Sequence, residues 1–211
     1  MRPSTLGVAL VLLLASGCTT PRYFQPVAGT AVPVQRVGFT VLPPQGADWF
    51  IAAGTPANVV AFGKRLRAQQ PASVPATFGV AAESGRLGKV RNFDLRTEQG
   101  LRQGVEFLLS GSDPKRFRVL EQRYSFFQMQ GTDCVRYSSS SEEGNNPRFP
   151  NVVFLLIANG VMCRHPTSPD YMVQVGHSER RVLGTESSVD DSARREAEAI
   201  VESLHFTPVE R

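Results

Sequence analysis

The chain has 211 residues, 23 basic and 19 acidic, for a net charge of +4 at pH 7, and 41% of its residues are hydrophobic. That length suits one domain plus a tether and is ample for a sizeable core, while so small a charge excess gives no basis for nucleic-acid binding. Three cysteines are present, Cys18, Cys134 and Cys163.

Residues 1–17 have the order of a secretory signal peptide. Arg2 gives the positive start, Leu6 to Ala15 an apolar run, and Ala15, Ser16 and Gly17 the small residues before a cut. At about ten residues the run is too short to cross ~30 Å of hydrocarbon as a helix. A buried core helix is the competing reading, and the flanking order argues against it. Leu14-Ala15-Ser16-Gly17-Cys18 resembles the lipobox of bacterial lipoproteins across the whole pentapeptide. The resemblance implies a diacylglyceryl group on the Cys18 thiol, cleavage before Cys18 and acylation of the new amine. One acyl chain holds a protein only marginally, at roughly 0.8 kcal/mol per buried CH₂, so two or three chains make the stable anchor. Thr19 follows the cysteine, and in the enteric sorting pattern this resembles an outer-membrane address facing the periplasm.

Cleavage removes one arginine and leaves 194 residues with 22 basic and 19 acidic side chains. Their distribution is uneven. Lys64 to Arg118 holds eleven Lys/Arg against five Asp/Glu, and Glu186 to Arg211 holds seven acids against three bases. Two solvated faces explain this most simply; an anionic-polymer site on the basic segment is the sharper alternative. With Cys18 spent on lipid, an exported protein keeping Cys134 and Cys163 reads as one with a single disulfide. The competing reading is two reduced cysteines packed as small hydrophobes. No zinc site follows from two cysteines so far apart.

Thr19 to Gln35 contains Pro21, Pro26 and Pro33 and predicts an extended tether. Short strands are predicted at Val37–Leu42, Asp48–Ala52, Asn58–Phe62 and Thr77–Ala81, with Trp49 a core or rim residue. Glu83 to Asn92 reads as polar loop. Thr97 predicts the N-cap of a helix that presents Leu101, Val105, Leu108 and Leu109 on one face and stops at Gly111 and Pro114. Phe117 to Met129 predicts a strand with a bulge at Leu120, turning at Gly131-Thr132-Asp133 into Cys134–Tyr137. Ser138 to Asn146 reads as a solvated loop. Val152 to Ile157 is the most apolar run of the mature chain and predicts a strand covered on both faces. Asn159-Gly160 predicts a hairpin turn, followed by a return strand at Val161–His165 and another through Tyr171, Val173 and Val175. Ser188 and Asp191 predict a capping box for a final helix with Ala193, Ala197, Ile200, Val201 and Leu204 as its apolar stripe. His205–Thr207 closes with a short strand.

That order, together with Gly38-Phe39-Thr40-Val41, Cys134-Val135-Arg136-Tyr137, Cys163-Arg164-His165-Pro166 and Ala197 to Leu204, resembles the PsbP-like family in a branch of proteobacterial lipoproteins. The resemblance covers roughly residues 36–207. It implies an α+β fold, a single-domain α/β/α sandwich around an antiparallel meander, with an accessory or assembly role. The expected organisation is a signal peptide at 1–17, a tether at 18–35, the domain at 36–207 and a tail at 208–211.

No catalytic or cofactor motif stands out. Gly176-His177-Ser178-Glu179-Arg180 has arginine where a nucleophile elbow needs glycine. His165, His177 and Asp170 lie near one another in sequence, without the further ligands of a metal site. Two function classes follow. The first is a non-enzymatic binding or assembly module held to the membrane through Cys18, with an envelope protein or anionic polymer as partner and no cofactor. The second is an envelope hydrolase built around His165, Asp170, His177 and Ser178.

Overall fold

The computed structural model describes residues 24–27, 31–66, 74–86, 93–110 and 115–209. Cys18 and the expected signal segment lie outside them. Eight strands form one antiparallel sheet: β1 (Phe24–Pro26), β4 (Trp49–Ala52), β5 (Val59–Lys64), β6 (Thr77–Gly85), β7 (Phe117–Met129), β8 (Thr132–Glu143), β9 (Phe154–His165) and β10 (Ser168–Val182). They stand in the order β1-β4-β5-β6-β10-β9-β8-β7. A second sheet joins β2 (Val34–Arg36), β3 (Phe39–Val41) and β11 (His205–Phe206), with β3 in the middle. Among the described residues two helices complete the fold, α1 (Glu98–Ser110) and α2 (Asp191–Glu202).

Alternation along the strands divides the apolar residues between two faces. Val173 and Val175 of β10 pack with Val161, Phe62, Phe78 and Val80, under Ala193, Ala197, Ile200 and Val201 of α2 and under Phe39 and Val41 of the small sheet. Met172, Met162, Val135 and Tyr137 point the other way and pack with Leu101 and Val105 of α1. A twelve-residue helix is marginal alone in water. Burying Ile200 and Val201 at 2% exposure each contributes roughly 1.5–3 kcal/mol per side chain and docks α2.

Several boundaries moved for identifiable reasons. Part of the expected tether is strand: Phe24–Pro26 pairs with β4, and the Phe24 ring meets Phe50 edge-on with centroids 4.6 Å apart. Pro26 fits there because an edge strand tolerates a residue without an N–H. Ser138 to Asn146 is not a solvated loop. Ser138–Ser141 lie between β7 and β9, where both neighbours satisfy their backbone groups and override the low strand preference of serine. The capping box resolves instead to Asp190, whose side chain accepts from the backbone N–H of Ala193 at 2.7 Å. Thr97 does cap α1, its Oγ1 accepting from Gly100 N–H at 3.0 Å, and the bulge between Val119 and Glu121 is present.

Asn159-Gly160 is not a turn; both lie in the middle of β9. Gly160 stands opposite Gly176 on one side and Tyr137 on the other. The two glycines clear space for the Tyr137 phenol, whose oxygen accepts from Gln174 Nε2 at 2.6 Å. Burial pushes the Tyr137 phenol's pKa upward, against that hydrogen bond. A Cβ on Gly176 would lie 2.6 Å from the Tyr137 oxygen and 2.7 Å from the Asn159 carbonyl. Gly176→Ala is therefore expected to destabilise the fold by about 1–3 kcal/mol. Tyr137→Phe should not rescue it, because the backbone carbonyl still blocks the methyl; urea midpoints of the single and double variants check this.

Candidate functional site

The four residues of the hydrolase alternative are not brought together. His165 is buried at the β9–β10 turn. Its Nδ1 accepts from Thr167 N–H at 3.3 Å, so the other nitrogen carries the proton and donates to the Thr207 carbonyl at 2.9 Å. That imidazole, edge-on to Phe206, clasps the C-terminal segment to the turn. Asp170 is exposed in the same turn region. His177 pairs with Asn159 of β9, six residues from His165, which at ~3.3 Å per residue puts it about 20 Å away. Ser178, next to His177, points to the opposite face of the sheet. Among the described residues no group of three or more His, Cys, Asp or Glu could hold a metal ion.

His177 belongs to a different constellation. Register places Arg123, Ser138, Asn159 and His177 side by side across β7, β8, β9 and β10, on the face that carries α2. The row ends at the helix, where His177 Nε2 lies 2.8 Å from Glu198 Oε1. The adjacent row contributes Ser125 and Arg136. Arg136 stacks over Phe127 at 5.7 Å, and its Nη1 is 3.9 Å from Glu198 Oε2. The hydrogen bond from His177 holds the Glu198 carboxyl below its usual range; burial opposes this, and the charges of His177 and Arg136 add to it.

Arg123, Ser125, Arg136, Ser138, Asn159 and Glu198 line a groove of about 230 Å³ between α2 and the outer strands, with His177 behind Glu198. It exists because α2 covers β10 and β6, while β8 and β7 extend past the helix with polar residues on the same face. Arginine, amide, hydroxyl and carboxylate groups converge there on one open surface. That is an inventory for binding by hydrogen bonds. A nucleophile–base pair would need a hydroxyl within hydrogen-bond reach of His177, whose Nε2 instead meets the Glu198 carboxylate. The sequence marks this site only weakly: Arg136 alternates with Val135 and Tyr137, but Ser138–Ser141 are uniformly polar and carry no period of two.

Four cations of the basic segment have carboxylate partners. Lys64 bonds Glu196 at 2.7 Å, Arg102 bonds Glu106 at 2.8 Å and Arg118 bonds Glu142 at 2.6 Å, while Arg116 pairs with Glu143. No helix among the described residues is long and apolar enough to cross a membrane.

No protein-family model matches the chain, and no curated protein matches it in sequence. Among solved structures it is similar to the solution structure of cyanobacterial PsbP (CyanoP) from Synechocystis sp. PCC 6803. The identity is 12% and the TM-score 0.42, with 92% of this chain and 99% of that chain covered. The observed fold is a mostly antiparallel sheet with two helices, of the α+β class.

Proposed function

We propose that the protein is a lipid-anchored, non-enzymatic binding or assembly module of the cell envelope, held by acyl chains on Cys18 at the outer membrane and facing the periplasm. The observation that carries the binding role is the open polar row Arg123–Ser138–Asn159, backed by Glu198 and His177. The α/β/α sandwich reading agrees with it, since two faces are consumed by core packing and recognition falls to the strands beyond α2. Local pairing of the cations at Lys64, Arg102, Arg116 and Arg118 favours a protein partner over an anionic polymer.

A photoreactive residue at exposed Ser138 should give a discrete adduct in intact cells, and Arg136→Glu should abolish it. Hydrolysis of ester or amide substrates by purified protein, lost in His177→Ala, would overturn the non-enzymatic reading in favour of the hydrolase. The anchor has its own test. Radiolabelled palmitate is expected to enter the wild-type chain and not Cys18→Ser; label persisting in the variant would remove Cys18 as the lipid site.

A further inference from the structure

We propose that two copies of this chain associate by antiparallel pairing of β7 with β7 across a two-fold axis through Gln122, joining two eight-stranded sheets into one. This does not depend on what the groove binds.

Strand β7 ends the sheet order, paired with β8 on one side only. It is 13 residues long, against three for β1 at the opposite edge, where Pro26 blunts pairing. A long edge presents a row of unpaired N–H and C=O groups, which templates another strand. Of the eight large hydrophobic side chains exposed on the described surface, Val119, Leu120 and Phe126 lie on this strand, at 48%, 46% and 36% exposure.

Charge selects the occupant. Glu121 and Arg123 lie on one face, two residues apart, and pair with each other at 2.6 Å, with 56% and 77% of their side chains exposed. An antiparallel two-fold through Gln122 sets Glu121 of each copy directly opposite Arg123 of the other, twice. Opposite charges so placed favour pairing and like charges oppose it. An unrelated strand meets an edge guarded by Arg118, Glu121 and Arg123, whereas a second copy satisfies Glu121 and Arg123 reciprocally. The bulge residue Leu120 lies one step outside these pairs, so the pairs themselves fall in regular strand.

The test uses the full chain carrying Cys18→Ser, with sedimentation as the readout. The parent should be a dimer. Glu121→Arg or Arg123→Glu alone should weaken association at least tenfold, because each sets like charges opposite one another. Mixing Glu121→Arg chains with Arg123→Glu chains should restore a dimer, since two arginines then face two glutamates. Gln122→Cys should cross-link to itself on oxidation, because residues on the axis have Cα atoms about 4.5–5.5 Å apart, within reach of a disulfide. A monomeric parent that does not cross-link through Gln122→Cys overturns the proposal, and points to a foreign strand or none at this edge. Two single variants that stay dimeric, or a mixture that stays monomeric, overturn it as well.

Discussion

Removing the Cys134–Cys163 bridge by a double change to alanine is expected to cost about 3.5 kcal/mol of unfolding free energy. The two cysteines are direct partners in the β8–β9 register, bridged with Cα atoms 4.0 Å apart. They close a loop with a sequence separation of 29, and the chain-entropy cost of that closure in the unfolded state sets the figure. Both are almost wholly buried, at 1% and 0% exposure, so alanine leaves only a small void and adds no unsatisfied polar atom. With a denaturant slope near 2 kcal/mol per molar urea, the midpoint should fall by roughly 1.75 M, and reductant should lower the parent's midpoint in the same way. Thiol counting on unfolded Cys18→Ser protein should find none before reduction and two after. Equal midpoints with and without reductant would show that the bridge contributes nothing to stability.

That bridge was legible because cysteine count, the expected secretory signal and position all agreed. Strand β9 shows where legibility ended. Its apolar start at Phe154 was readable from composition. Asn159-Gly160 carries the strongest local turn signal, yet the chain runs straight through it. The reason is tertiary: Gly160 is there to give room to Tyr137 from the neighbouring strand, and no local pattern records that demand. Likewise Ser138–Ser141 looks like loop until two strands are known to flank it. The amphipathic stripe of α2 could be read from spacing, because one helix carries its whole signal in its own residues. The groove could not, because its row of Arg123, Ser138 and Asn159 is assembled by register across three strands.

A buried charge cluster at the end of the same polar run gives the second large effect. Glu143, the last residue of β8, is 1% exposed. Its Oε2 accepts from Arg180 Nε at 2.7 Å; its Oε1 accepts from Arg116 Nε at 2.7 Å and from Asn146 Nδ2 at 2.6 Å. Arg180 lies over the Phe154 ring at 3.6 Å, and burial lowers its pKa against the pull of Glu143. Two guanidinium groups therefore depend on one carboxylate away from water. Glu143→Met should destabilise the fold by about 3–5 kcal/mol, because it leaves Arg180 buried without its counter-ion. Arg116→Met should cost less, since its side chain is 18% exposed against 2% for Glu143 and the Glu143–Arg180 pair survives. Glu143→Met combined with Arg180→Met should recover much of the loss, since an apolar pair beside Phe154 leaves neither member of that ion pair stranded. Unfolding free energies of Glu143→Met, Arg180→Met and the double variant would measure the coupling. Strict additivity would mean that Glu143 and Arg180 do not stabilise one another, and that the destabilisation comes from lost volume alone.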